Sequence, residues 1–164
     1  MRNNTNEYLD FGKETVLVLK SGVAALVSAL SVPLIEKYTW CQEGTGYIMS
    51  RTTSRAVKLH RLITGAHEGE YVDHIDGDPL NNTIENLRIC TKQQNEFNQK
   101  RRIDNTSGYR GVCSYGKDGK YRAYINVSGK YIHIGVFDSS EEAAKAYDCK
   151  AAELYGEFAR FNFV

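Results

Sequence analysis

The sequence predicts an α+β protein: an N-terminal β-rich scaffold leads into a small strand–loop–strand–helix unit, and a three-stranded antiparallel sheet packed on one helix follows. Three observations predict it. Residues 121–127 and 131–136 alternate with a period of two. Residues 139–156 carry a helix start, a helical apolar repeat and a glycine stop. Residues 71–75 and 87–90 are short strand-like runs on either side of dense turn chemistry.

In the first third, residues 16–19 and 23–27 are apolar runs of β type, and Ser31 is placed to cap a helical turn holding Pro33, Leu34, Ile35 and Tyr38. Residues 47–49 and 56–63 suggest a further hairpin. Nothing before His60 suggests chemistry, so this third reads as scaffold.

The second stretch begins with a short strand at 71–75, turns at Asp76, Gly77, Asp78 and Pro79, and returns at 87–90. Thr91 followed by Gln94 is a capping box, in which a hydroxyl and an amide satisfy free backbone N–H groups at a helix start. Lys100, Arg101 and Arg102, then residues 104–108, offer charge and turn formers but almost nothing to bury. A linker is therefore expected at 101–107, with one domain at 1–100, its core at about 71–100, and another at 108–164.

In the last stretch, positions 121, 123, 125 and 127 are Tyr, Ala, Ile and Val, whereas 122, 124 and 126 are Arg, Tyr and Asn. Positions 132, 134 and 136 are Ile, Ile and Val, whereas 131 and 133 are Tyr and His. Each strand thus has one apolar and one polar aromatic face. Ser128, Gly129 and Lys130 make the turn. Ser139 to Glu142 is a second capping box, opening a helix whose Ala143, Tyr147, Ala151 and Leu154 recur on one side and whose stop is Gly156.

The chain of 164 residues is 41% hydrophobic and 25% charged, with 2 prolines and 14 glycines, which excludes a largely disordered or collagen-like polymer. Lys20, three serines and Pro33 interrupt the most apolar stretch, 16–35, so no membrane span is expected. The N-terminus lacks a secretory pattern, and a cytoplasmic protein is expected. Cysteines 41, 90, 113 and 149 form no closely spaced pair, and histidines 60, 67, 74 and 133 lack the helical spacing of a zinc pair. Buried thiols are expected, and no zinc. The net charge of +1 conceals a pattern: residues 108–137 carry five basic side chains against Asp118, and residues 138–164 carry three against six acidic ones. The sheet is a basic surface and its helix an acidic one.

Asp73 and His74 are adjacent, and Asn95 sits early in the following helix. A carboxylate and an amide oxygen are hard donors of the kind Mg²⁺ accepts when it keeps waters and takes a substrate phosphate. Imidazole can accept a proton from water at neutral pH. Together they suggest phosphodiester hydrolysis with His74 as general base. The alternative is a solvated acidic loop in which Asn82, Asn86 and Asn95 serve as turn and cap residues.

Residues 60–98 narrow this choice. His60-Arg61-Leu62, the run from Asp73 to Arg88 that reads D-H-I-D-G-D-x-L-N-N-x-x-x-N-L-R, and Gln94-Asn95 resemble an HNH endonuclease of the phage and intron homing type. The resemblance implies a ββα-metal nuclease unit with His74 as general base, Asp73 and Asn95 as ligands of Mg²⁺ or Mn²⁺, and Asn86 bracing the loop that positions His74. The third letter of the motif is Asn here, leaving one carboxylate and one neutral amide for the metal. Arg61 is expected either to clamp the scissile phosphate or to form an ion pair, and His60 is read as structural.

Residues 108–163 resemble the plant ethylene-response-factor (APETALA-type) DNA-binding domain through Tyr109-Arg110-Gly111-Val112, Ile134-Gly135-Val136-Phe137, the run Glu142 to Asp148, and Asn162-Phe163. The resemblance implies a sheet lying in the major groove of double-stranded DNA, with Arg110, Cys113, Tyr115, Tyr124, Asn126, Tyr131 and His133 at the contacting positions. Where the plant domains use arginines and tryptophans, this chain mostly has Tyr, Asn and His, so their base preference does not transfer. Lys120 and Arg122 add phosphate-neutralising charge, and Lys100, Arg101 and Arg102 are expected to follow the backbone between the two units. Asn126 is of the type that reads an adenine edge.

The sequence therefore predicts a monomeric, metal-dependent DNA endonuclease of bacterial or phage-infected cells. A non-catalytic, sequence-specific DNA-binding regulator is the alternative, and an RNA- or protein-binding module a third.

Overall fold

The computed structural model describes residues 6–51, 56–98 and 107–163. The chain is α+β, with several small sheets and few helices, and divides into two compact units, Met1–Lys92 and Gln93–Val164.

The first unit starts with a meander of β1 (Glu7–Asp10), β2 (Glu14–Val18) and β3 (Ala24–Ser28). A helical turn, α1 (Val32–Ile35), leads to β4 (Trp40–Gln42), β5 (Ile48–Ser50) and β6 (Val57–Lys58), which form a second antiparallel sheet. Then come α2 (Leu59–Thr64), β7 (Tyr71–His74), β8 (Asn81–Asn82) and β9 (Leu87–Cys90). β7 and β9 pair antiparallel, whereas β8 joins the meander parallel to β3, opposite Leu26 and Val27. The core is Leu17, Leu19, Ala25, Val27, Ile35, Trp40, Ile48 and Leu59, and the Trp40 indole N–H is satisfied by Ile35 O at 3.0 Å.

Two local expectations are corrected here. Ser31 has helical backbone angles and its side chain makes no cap bond, so α1 starts at Val32, with Pro33 in its first turn, without a side-chain cap. Residues 59–64 are helix rather than strand. Leu59, Leu62 and Ile63 have the i, i+3, i+4 spacing of a helical face, and Gly65, at φ 66°, supplies the left-handed stop.

The second unit contains α3 (Lys92–Phe97, all but its first residue), β10 (Val112–Tyr115), β11 (Lys120–Val127), β12 (Lys130–Phe137) and α4 (Ser140–Tyr155). The sheet order is β10-β11-β12, antiparallel throughout. The Ser139 hydroxyl accepts from the Glu142 N–H at 3.1 Å and opens α4. Gly111, at φ 69°, lets α4 come close: a Cβ there would lie 2.1 Å from the Tyr147 ring. Asp148 accepts from both nitrogens of Asn162, whose Oδ1 accepts from Arg110 N at 2.6 Å, tying the C-terminal tail to the start of the sheet. Phe97 of α3 stacks on Tyr155 with ring centroids 3.6 Å apart.

The expected faces change at one place. Ala123 pairs with Gly135 and Tyr124 with His133, so β12 carries one extra residue, a bulge at Ile134. Beyond it the alternation is shifted by one: Phe137, not Val136, packs on the core, and Val136 stands exposed opposite Arg122. On α4, Tyr155 rather than Leu154 is buried. Only Cys90 is a buried thiol; Cys41 and Cys149 are exposed, Cys149 on the outer side of α4. Among the described residues no helix is long and apolar enough to cross a membrane.

Candidate active site and nucleic-acid interface

The cross-strand register of β7 and β9 sets Asp73 opposite Arg88 and His74 opposite Leu87. Arg88 reaches back across the ladder, donating from Nε and Nη2 to Asp73 Oδ2 at 2.9 and 2.7 Å. Both side chains are largely buried, so the guanidinium offsets a carboxylate that would otherwise be expensive to take out of water. His74, at the strand end, is equally buried.

The chain then turns sharply, with Gly77 N donating to His74 O at 2.8 Å. The Asp76 carboxylate organises this loop by accepting from Asp78 N, the Asn81 amide and the Asn86 amide at 2.7–3.0 Å. Asn86 answers by accepting from Asp76 N at 3.1 Å and donating to Asn81 O at 2.8 Å. Burial works to raise the Asp76 carboxyl, but the N–H of Asp78 and the amides of Asn86 and Asn81 outweigh it and hold it below the usual value.

Three rings meet at His74. His60 of α2 stands edge-on to it at 5.2 Å, and Tyr47, just before β5, lies 5.1 Å from His60 and 5.8 Å from His74. His74 Nε2 is 3.3 Å from Asn82 Oδ1. Burial pushes the His74 imidazole below its usual value, against the opposing pull of Asn82, Asp76, Asp73 and Asp78. His60 falls further, to about 3, through burial first and then the charges of His74, Lys58 and Arg61. Burial favours the neutral form of both rings, and a neutral His74 can accept a proton.

The other sequence candidates fall into separate groups. Arg61 spends its guanidinium on carbonyls, donating to Glu70 O, His67 O and Ala66 O at 2.6, 2.7 and 3.3 Å, which closes the loop after α2. Asn95 lies half-buried on α3, in the second unit. Sequence reasoning missed Tyr47, Asn82 and Arg88. Arg88 stood in the motif, and antiparallel pairing of the two short strands would have set it against Asp73.

In the second unit, Tyr115, Arg122, Tyr124, Tyr131 and His133 line one hollow of about 630 Å³ on the open face of the sheet. The Arg122 guanidinium lies 5.7 Å from the Tyr115 ring and 5.8 Å from that of Tyr124, which packs edge-on against Tyr131. Lys120 pairs with Asp138 at 2.9 Å at the margin of the sheet. Arg110 and Asn126 are not in this hollow: they line another, with Tyr147 and Tyr155. Asn126 Oδ1 accepts from Gly129 N at 2.9 Å and so supports the hairpin turn. Lys100, Arg101 and Arg102 lie outside the described residues.

A divalent ion fits the chemistry of the donors available. Asp73 is a hard oxygen donor, and an asparagine amide oxygen is another; such a pair suits a magnesium-like ion that keeps waters and shares substrate oxygens. Among the described residues no group of three or more His, Cys, Asp or Glu forms an all-protein cage.

Residues 57–97 match the family model described as HNH endonuclease. The chain is 38% identical over 154 residues to an uncharacterized HNH endonuclease of Acanthamoeba polyphaga mimivirus, spanning 90% of this chain and 79% of that one. It is 39% identical over 95 residues to protein 3.8 of Escherichia phage T7, spanning 58% of this chain and 78% of that one. Over 59 residues of its C-terminal part it is 41% identical to an AP2-like ethylene-responsive transcription factor of Arabidopsis thaliana, of which that segment is 12%.

Proposed function

We propose, from the premise that this chain belongs to the HNH endonuclease family, that it hydrolyses phosphodiester bonds in double-stranded DNA with the help of a divalent ion, and that its C-terminal sheet seats it in the major groove. The observation that carries the reading is His74: a buried imidazole fixed between Tyr47, His60 and Asn82, one residue from a carboxylate.

In this reading β7, β9 and α3 correspond to the ββα-metal arrangement of the family. His74 takes the proton of the attacking water. Asn86 holds the 75–78 loop so that the imidazole keeps its place, and Arg88 holds the Asp73 carboxylate in one orientation. Asp73 and Asn95 would hold Mg²⁺ or Mn²⁺, whose chemistry when bound is Lewis-acid polarisation of a phosphate oxygen. Arg61, fixed by its carbonyls, adds positive charge beside His60 that a phosphate would meet.

The nuclease module is taken as residues 1–100, the linker as 101–107 and the DNA-binding module as 108–164. Arg122 and Lys120 neutralise phosphates, and Tyr115, Tyr124, Tyr131 and His133 contact sugar and base edges. Arg110 and Asn126 work from the neighbouring hollow, and Lys100, Arg101 and Arg102 follow the backbone between modules. The chain is taken to act as a monomer in the cytoplasm; relatives from a giant virus and a phage support an infected cell as its setting.

The test uses supercoiled DNA with wild type and Asp73→Ala, with Mg²⁺ or with chelator. The expected result is nicked or linear product only from wild type with the ion present. Binding of the duplex with no cleavage under any divalent ion leaves the regulator as the surviving reading.

A further inference from the structure

Asn82 is completely buried, and both ends of its side-chain amide are spoken for. Its Nδ2 lies 3.0 Å from Pro79 O, and a backbone carbonyl can only accept, so the nitrogen end must face Pro79. The oxygen end then faces His74, with Oδ1 3.3 Å from Nε2. An amide oxygen can only accept as well. The hydrogen between them must therefore sit on the imidazole, at Nε2. A neutral imidazole carries one such hydrogen, which leaves the lone pair on Nδ1. With the hydrogen on Nδ1 instead, two lone pairs would face each other across a buried contact.

We infer that Asn82 is a positioning residue for the proposed general base: it holds His74 as the Nε2–H tautomer and makes Nδ1 the atom that takes the proton from water. The inference rests on the reading of His74 as that base. Asn82 is in turn held from a distance. β8 pairs with β3 through Val27 opposite Asn82, Leu26 N donates to Leu80 O at 2.8 Å, and the Ser28 hydroxyl accepts from Ile84 N at 2.8 Å. The N-terminal meander, which offers no chemistry of its own, thus fixes the proton on the imidazole. His60 and Tyr47 flank the ring and limit its rotation.

The test is nitrogen-15 NMR of the histidine side chains in the full-length chain at neutral pH, with His74 assigned by its loss in His74→Gln, together with steady-state cleavage. Wild type is expected to show a protonated Nε2 and an unprotonated Nδ1. In Asn82→Leu the two nitrogens should average toward mixed tautomers, and kcat should fall on the order of 10- to 100-fold with KM little changed. Asn82→Asp keeps an acceptor for Nε2–H and should restore the tautomer, at a cost in stability because its second oxygen faces Pro79 O. A wild-type spectrum with the proton on Nδ1, or an Asn82→Leu enzyme with unchanged kcat, overturns the inference. If Asn82→Leu does not fold, the wild-type spectrum decides alone. Undiminished cleavage by His74→Ala would overturn the base assignment itself, whichever tautomer the spectrum shows.

Discussion

In the first unit the polar side chains that matter are buried and held by one another: Asp73, His74, Asn82 and Asn86 are each at most 9% exposed. In the second unit the corresponding side chains stand in the open, with Tyr115 at 48% and Tyr131 at 66% exposure on one face of a regular sheet. On the proposed function, the difference follows from what each has to do. A proton acceptor needs one fixed atom in a place of low dielectric, and burial with full hydrogen bonding provides it. A surface that meets a polyanion needs charge and rings held out from a stiff support, which a sheet packed on a helix provides.

The comparison can be broken first at its buried ion pairing. Arg88→Ala leaves the Asp73 carboxylate in its buried place without the guanidinium and should destabilise the protein by about 3 kcal/mol. Lys120→Ala, in the exposed pair with Asp138, should leave stability within about 0.5 kcal/mol of wild type. Chemical denaturation of the two variants side by side checks both, and equal losses would erase the distinction. The second unit has its own rigid point at Gly111, where a methyl group would strike the Tyr147 ring and the Tyr124 carbonyl at a left-handed φ. Gly111→Ala should cost about 3 kcal/mol, read as a lower unfolding midpoint.

Burial also leaves a pH signature. The unfolded chain protonates His60 near pH 6.5, whereas the folded chain resists until about pH 3, so the unfolded state binds more protons in that window. Stability attributable to this ring is present above pH 6.5 and is lost progressively as the pH falls toward 3. At pH 5 the loss should be about 2 kcal/mol relative to pH 7, and His60→Phe should remove it from the stability–pH curve. A wild-type curve no steeper than that of the variant contradicts the buried, neutral ring. The smallest expected effect belongs to the open face: Lys120→Ala with Arg122→Ala should lower the slope of log affinity for duplex DNA against log salt by about 1.8, with folding intact. An unchanged slope would move the DNA surface away from this sheet.

The two units also differ in how much of them could be read from the sequence. Alternation in β11 exposed the faces of the sheet because strand periodicity acts within a few residues. What it missed was the extra residue at Ile134, which shows itself only when β12 is laid against β11. In the first unit, the turn at Asp76, Gly77, Asp78 and Pro79 was legible because its residues are local, whereas Asn86 as its brace came only with the family resemblance. The Asn82–His74 contact was not legible, since it depends on β8 pairing with β3, and Leu26 and Asn81 lie 55 residues apart. The helix at 59–64 was legible in principle, from its apolar spacing and from Gly65, but the apolar run read equally well as a strand. The exposed Cys41 and Cys149 show the limit of composition: a preference for interiors says nothing about which side of a given strand or helix a residue occupies.

The most direct test of the account is the single-turnover cleavage rate of His74→Ala against wild type on one duplex, at saturating Mg²⁺, with binding of that duplex measured in parallel. The account predicts a rate lower by about 10²- to 10⁴-fold with binding unchanged. A His74→Ala protein that cuts at the wild-type rate would contradict it.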